Sequence, residues 1–406
     1  MEYRLKDILQ DKGYIRGPFG SSLKRNELKN EGIPVYEQQH AIYATREFRY
    51  YIDEEKYSKM KRFTVKPNDL IISCSGTIGK VDLISEKDKI GIISQALLIL
   101  RANTDIVLPE YLFYFFKSDY GYNSIISRSM GSVQVNLAKR EVIENIKINI
   151  PKIEEQEKIV NILSNIDKKI KLNNKINDCL SKISQLTLDN FIKENKNIDY
   201  CMIKDLNPKL ETGRRPSGGV GNIIDGIPSI GAESIKGIGY FDYSKTKYVT
   251  ENYFEKMKKG IVKGYELLIY KDGGKPGYFM PNFSMFGEGF PYEKCAINEH
   301  VFLLDFNDIR FNIFSYYYFN SKKIRHKLHV LGSKSAAIPG INQQDILNLE
   351  IPHVRATENK ELLDIMEFNT KKIMKNSKQN FILSQLRDSL LPKLMNGKIN
   401  LDKIEI

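Results

Sequence analysis

The chain of 406 residues has no tryptophan, only four cysteines and only five histidines. Cys74, Cys179, Cys201 and Cys295 lie far apart with no paired spacing. That argues against a disulfide framework and against a zinc site, and for a reducing compartment. The histidines are dispersed except for His326 and His329. That pair has no Cys or carboxylate beside it, so a phosphate or surface role suits it better than a metal. No apolar run approaches the ~18 residues that a membrane helix needs. The opening Met1-Glu2-Tyr3-Arg4-Leu5-Lys6 is polar and mixed, unlike a signal peptide. A soluble, cytoplasmic protein is expected.

Catalytic motifs are equally scarce. No Asn/Asp-Pro-Pro-aromatic segment of the kind used for adenine methylation occurs, and Gly287-Glu288-Gly289 stands alone. Gly76-Thr77-Ile78-Gly79-Lys80-Val81 lacks both the spacing and the hydroxyl of a phosphate loop. Acidic-x-Lys tripeptides such as Glu54-Glu55-Lys56 arise freely in a chain rich in both residue types. No metal, no cofactor and no catalysis by this chain alone are expected. The rival reading is a DNA-modifying enzyme in its own right, and the missing motifs count against it.

What the chain does have is positive charge and a repeat. Lys and Arg number 62 against 50 Asp and Glu, a net of +12, which favours a polyanionic partner such as nucleic acid. Gly131-Ser132-Val133-Gln134-Val135-Asn136 leads into Ile146-Lys147-Ile148-Asn149-Ile150-Pro151. Gly332-Ser333-Lys334-Ser335 leads in the same register into Leu347-Asn348-Leu349-Glu350-Ile351-Pro352. Further anchors reach the start of each half: Lys6-Asp7 with Lys204-Asp205, Pro18 with Pro216, Gly32-Ile33-Pro34 with Gly226-Ile227-Pro228. A unit this long is a duplicated domain rather than a solenoid repeat. Between the anchors the halves diverge, as two binding sites of different specificity would. A duplicated scaffold with no functional split is the plainer alternative.

Asp69–Cys74 and Gly91–Leu100 read as strands, separated by turn signals. Pro109–Lys117 suits a helix or a strand; Pro followed by Glu favours the helix. Ile146, Ile148 and Ile150 alternate as in a half-buried strand. After each half comes a long polar helix. At 154–196, Ile159, Leu163, Ile166, Ile170, Leu180, Ile183 and Phe191 form a narrow apolar seam. At about 357–391 the seam holds Leu362, Met366, Ile373, Leu383, Leu386 and Leu390. Such a stripe predicts one or two partner helices. Asn173 and Asn177 fall in the first seam, and Asn376 and Asn380 match them in the second. Polar seam residues fix register at a cost in stability; a solvated flank is the alternative. The first helix would span roughly 65 Å. The expected fold is α/β (α+β): two similar globular domains, 1–151 and 197–353, separated by two long antiparallel helices, 152–196 and, with the tail, 354–406, as a pseudo-twofold repeat.

Several segments resemble one family. Gly17-Pro18-Phe19-Gly20-Ser21-Ser22-Leu23-Lys24, Gly32-Ile33-Pro34-Val35 and Asp69-Leu70-Ile71-Ile72-Ser73 look like a target recognition domain of type I restriction–modification systems. Glu155-Gln156-Glu157-Lys158-Ile159-Val160 is similar to the start of that family's conserved helix. Leu386-Arg387-Asp388-Ser389-Leu390-Leu391-Pro392-Lys393-Leu394 resembles its carboxy-terminal signature. The resemblance to the specificity subunit covers essentially the whole chain. It implies a DNA-reading subunit whose two domains each read half of a bipartite target while the helices set the gap. It also implies two methyltransferase subunits, which bring S-adenosylmethionine, and two restriction subunits, which use ATP and Mg²⁺.

Matching polar loops supply the candidate DNA contacts. In the first half these are Arg16, Ser21, Ser22, Lys24, Gln38, Gln39, His40, Arg46, Ser75, Lys80, Gln134 and Lys139. In the second they are Arg214, Arg215, Lys236, Lys271, Lys275, Lys334 and Ser335. Gln and Asn can read adenine edges, while Arg and Lys take guanine edges or phosphates. Gln38, Gln39, His40 and Arg46 are expected as base readers; Arg214, Arg215 and Lys275 as phosphate contacts. A solvated loop charge is the alternative for each. A coiled-coil adaptor with no DNA contact is the third reading, which the net charge disfavours.

Overall fold

The computed structural model of the chain describes residues 1–19, 23–128, 135–334, 338–354 and 359–399. Ser21, Ser22, Gln134 and Ser335 lie outside the described residues. The chain divides into two compact units: Met1–Asp167 with Gln385–Ile406, and Lys168–Ser384. Each unit thus takes part of both long helices.

The first unit is built on a four-stranded antiparallel sheet in the order Leu9–Arg16, Leu97–Ala102, Asp69–Ser73, Val81–Leu83. Strand Asp69–Ser73 is buried along its whole length, as its unbroken apolar run requires. A second sheet orders Tyr51–Ile52, Ile33–Tyr36 and Ile92–Ile93, with the last two parallel. A third ladder joins Glu2–Arg4 to Lys147–Asn149; Ile146, Ile148 and Ile150 are buried there, as their alternation predicts. Pro109–Lys117 is a helix with its proline in the first turn. The segment Gly91–Leu100 is not one strand. Its backbone breaks at Ser94-Gln95-Ala96 between two strands of different sheets.

The second unit repeats this plan. Lys209–Thr212, Val301–Asp305, Leu267–Tyr270 and Phe283–Ser284 make the four-stranded sheet. Lys247–Val249, Ile227–Ile230, Cys295–Ile297 and Ile261–Val262 make the second, again with one parallel pair, Ile227–Ile230 with Cys295–Ile297. Tyr200–Met202 pairs with Glu350–Pro352. Mainly antiparallel sheets with helices segregated from them define an α+β architecture. Two copies of one topology confirm the duplication, despite loops of different length.

The long helices run over Ile153–Glu194 and Lys360–Met395. The second continues through Pro392, past its expected end at 391, because Leu391 and Leu394 are buried in the first unit's core. The seam is not left open for partner helices. Ile159 and Leu163 join the same core, and Leu390 packs against it. Ile166 of the first unit is half-buried; in the second unit Leu362 and Met366 enter the core, Ile373 is fully buried, and Ile170, Leu180 and Leu383 are half-buried. Ile183 and Leu386 are exposed instead; Ser184 and Leu188 hold the buried positions near Ile183.

Within the second unit the helices are joined by a polar ladder. Asn173 Nδ2 donates to Asn380 Oδ1 at 2.8 Å, and Asn376 Nδ2 to Asn177 Oδ1 at 2.9 Å. Asn369 Nδ2 donates to Ser184 Oγ at 3.1 Å. As the numbering rises along one helix it falls equally along the other, so the pair is antiparallel and in constant register. The seam asparagines are therefore rungs between the helices rather than a solvated flank, with Asn173, Asn177 and Asn376 buried and Asn380 half-buried. Within the first unit, Asp167 accepts from Arg387 Nη1 at 2.8 Å and from the Tyr114 hydroxyl at 3.0 Å. Among the described residues no helix is long and apolar enough to cross a membrane.

Candidate nucleic-acid interface

In the first unit, helix Gln38–Tyr43 and the turns Ser75-Gly76-Thr77 and Ser94-Gln95-Ala96 enclose a cleft of about 730 Å³. Gly76 has φ +65° and turns the chain tightly under the Gln38 amide. The Ser75 hydroxyl donates to Gln38 Oε1 at 3.0 Å and so fixes which face of that amide points outward. Gln39 lines the same cleft and makes one long contact, 3.4 Å, to the Glu47 carbonyl. Gln95 is exposed at the rim with no partner among the described residues. Arg49 is held bidentately by Glu37 at 3.1 and 2.8 Å and lies over the Tyr50 ring. Three amides, the Ser75 hydroxyl and a guanidinium held by Glu37 in one cleft can hydrogen-bond base edges.

Two expected base readers are not available for that work. His40 is fully buried and stacks on Phe48 with ring centroids 4.7 Å apart. Its Nδ1 accepts the Glu37 N–H at 2.7 Å, which leaves the proton on Nε2, facing the Glu47 carbonyl at 3.1 Å. Burial pushes its pKa below the ordinary 6.5, so the ring is a neutral core group. Arg46 bridges Asp82 at 2.8 Å and Asp88 at 3.0 Å and donates to the Leu83 carbonyl. Burial opposes its charge, but Asp88 and Asp82 more than offset that and raise its pKa. It ties the loop to the sheet edge.

The remaining first-unit candidates sit nearer the rim. Arg16 is half-buried with Nη1 unpartnered, and it lines a second cleft of about 440 Å³ with Arg62, Arg140 and Phe19. Lys24, Ser75, Lys80 and Lys139 are exposed. The Lys80 ammonium lies 5.5 Å above the Tyr122 ring.

In the second unit the backbone places Asn298-Glu299-His300 where the first has Ser94-Gln95-Ala96. Cys74 N–H donates to the Ala96 carbonyl, and Lys271 N–H to the His300 carbonyl, at 2.8 and 3.0 Å. The side chains there differ in kind. Glu299 pairs with Arg215 at 2.8 Å, and Lys271 Nζ donates to the Glu299 carbonyl at 3.1 Å. His300 Nδ1 contacts Asp272. Lys271 is thus largely committed inside the loop, contrary to a free DNA contact. Arg214 is exposed and lines a cleft of about 360 Å³ with Tyr253, Lys256, Lys258 and Lys259. Lys236, Lys275 and Lys334 are exposed, and His326 is too, whereas His329 bonds the Phe279 carbonyl. Among the described residues no cluster of three His, Cys, Asp or Glu could hold a metal.

Gln95 and Glu299 escaped the sequence reading. The available signal was a polar triplet cut into an apolar run at the matching place in both halves: Ile92-Ile93-Ser94-Gln95-Ala96-Leu97 and Ala296-Ile297-Asn298-Glu299-His300-Val301.

Comparison with known proteins agrees with this duplicated frame. The family model described as Type I restriction modification DNA specificity domain matches residues 1–182 and again residues 195–382. The type I restriction enzyme MjaIX specificity subunit of Methanocaldococcus jannaschii is 25% identical over 428 residues, covering 99% of this chain and 94% of the relative. The HindI specificity subunit of Haemophilus influenzae is 32% identical over 96 residues, 23% of this chain and 21% of the relative. The crystal structure of the type I restriction–modification S subunit from M. genitalium has a TM-score of 0.55 at 14% identity, covering 97% of this chain and 95% of that one. Its fold is therefore shared. The chain belongs to the type I restriction–modification DNA specificity family, as a non-catalytic subunit that confers sequence specificity.

Proposed function

We propose that each head reads one half of a bipartite double-stranded DNA target in the cytoplasm, and that the chain carries two methyltransferase subunits and, in the full complex, two restriction subunits. The partners would bring S-adenosylmethionine for methylation and ATP with Mg²⁺ for restriction; this chain supplies placement. The observation that carries the reading is the matched turn. One backbone frame presents Gln95 beside Ser75 and Gln38 in the first head, and Glu299 beside Asp272 and Arg215 in the second. Identical frames with chemically different tips suit two readers of different half-sites.

The internal use of the helical seam moves the partner surface elsewhere. Ile183, Leu186, Ile365 and Phe368 are exposed at one level of the antiparallel pair, Phe368 at 69% and Leu186 at 60%. An exposed apolar group of this size on two paired helices suits a methyltransferase subunit.

The test is modular exchange. The chain, coexpressed with its methyltransferase subunit, should direct adenine methylation to one bipartite motif in the host genome. Replacing residues 1–151 with the equivalent domain of a relative should change one half of that motif and leave the other intact. Methylation of both halves at new sequences would refute independent heads. Calorimetry on the chain alone should detect no stoichiometric S-adenosylmethionine or ATP binding.

A further inference from the structure

The adjacent arginines of the second head have different surroundings. Gly213 brings them into place: a Cβ there would lie 1.5 Å from the Ile297 carbonyl oxygen, and a Cβ on Gly260 would meet Gly213 Cα at 2.7 Å. Only two glycines allow these backbones to touch. The contact sets Arg214-Arg215 between the Lys256–Lys259 segment and the Asn298–His300 turn.

Arg214 faces the lysine cleft, and neither it nor Lys256, Lys258 or Lys259 has an ion pair among the described residues. Four uncompensated cations around one cleft suit a phosphate. Arg215 is different. Its Nε lies 2.8 Å from Glu299 Oε1, so its charge is compensated by a neighbouring carboxylate. His300 Nε2 lies 3.3 Å from Glu299 Oε1, and the Glu299 carbonyl accepts from Lys271 Nζ at 3.1 Å. The Arg215 terminal nitrogens make no hydrogen bond among the described residues, and the side chain remains 36% exposed. An exposed terminal fork beside a carboxylate matches the O6 and N7 acceptors of guanine.

We infer that Arg215 reads a guanine in the second half-site, that Glu299 is the residue positioning it, and that Arg214 holds a backbone phosphate. This rests on the proposed division of the target between two heads. The turn of the first head differs: Gln95 is uncharged and has no partner among the described residues, and Cys74-Ser75 stand where the second has Lys271-Asp272. The two half-sites should therefore differ at the corresponding position.

The experiment measures DNA binding by the full chain in complex with its methyltransferase subunit. The duplexes carry the methylated motif and single-pair replacements of it, across a salt series. Arg215→Ala should reduce discrimination at one G·C pair of the second half by roughly 5- to 150-fold. The slope of log K against log salt should stay nearly unchanged. Arg215→Lys should lose the same discrimination, since lysine keeps the charge without the fork. Glu299→Gln should weaken discrimination at that same pair and nowhere in the first half. Arg214→Ala should weaken all duplexes alike and make the salt slope shallower by about 0.9. A shallower slope with intact base preference in Arg215→Ala would overturn the assignment, as would full discrimination in Arg215→Lys. A wild-type complex with no bipartite preference at all would overturn the two-head reading as well, so the two failures are distinct.

Discussion

A histidine sealed beneath an aromatic ring should report on acid. His40 is neutral in the folded head, with its pKa lowered by burial below the ordinary 6.5. Above about pH 6.5 folded and unfolded states bind the same number of protons there, so the group contributes no slope. Below it the unfolded chain takes up a proton that the folded one refuses, and stability falls as pH drops toward the folded pKa. Hydrogen exchange across residues 35–41 should therefore show less protection at pH 5.5 than at pH 7.5, and His40→Phe should shrink that difference. An equal loss in both proteins would remove His40 as the cause. The sequence placed Gln38, Gln39 and His40 together in one polar segment. It could not show that a helix starts at Gln38, where each residue turns ~100° from the last. Two glutamines therefore reach the cleft while the histidine turns into the core. Arg46 was misread for another reason: its partners Asp82 and Asp88 are remote in sequence and meet it only through the fold.

At the scale of elements, the long helices were legible because their apolar spacing and their lack of glycine leave few alternatives. What they pack against was not legible, since a seam written for a partner helix looks the same as one filled from within. The asparagine rungs give the pairing a measurable signature. Asn177 and Asn376 are both buried and bonded to each other at 2.9 Å. Replacing either one by Ala strands its partner's buried amide, at a cost of about 1–3 kcal/mol. Replacing both should cost less than the sum of the two. A double-mutant cycle read by urea unfolding is expected to show a coupling of about 0.5–3 kcal/mol. Strictly additive losses would mean that the rung does not exist in solution. The turn Ser94-Gln95-Ala96 was missed at this same scale. An apolar run read as one strand hides a change of sheet, because both strands flanking the break are buried.

For the whole molecule, the duplication was readable from a few anchors because backbone constraints recur wherever the frame recurs. The recognition surface was only half readable, because its specificity lies in loops that share no pattern. The proposed function gives the helices the task of fixing the gap between half-sites. Four residues added to one helix alone would carry Asn177 away from Asn376. Four added to both, between Asn173 and Asn177 and between Asn376 and Asn380, keep every rung and lengthen the pair by roughly 6 Å. At ~3.4 Å per base pair, the spacer in the methylated motif should grow by one or two base pairs with both half-site sequences retained. An unchanged spacer in the sequenced methylome would show that the helices are not the ruler. The rungs also carry a historical implication. Asn173 corresponds in the repeat to Asn376, and Asn177 to Asn380, yet Asn173 bonds Asn380 and Asn376 bonds Asn177. Equivalent positions meeting in exchanged order is the pairing that two identical strands make about a dyad. The helices thus make, inside one polypeptide, the contact that a symmetric homodimer would make. Drift at a rung in one copy has to be answered in the other, whereas the loop tips of the two heads have no such counterpart and can diverge independently.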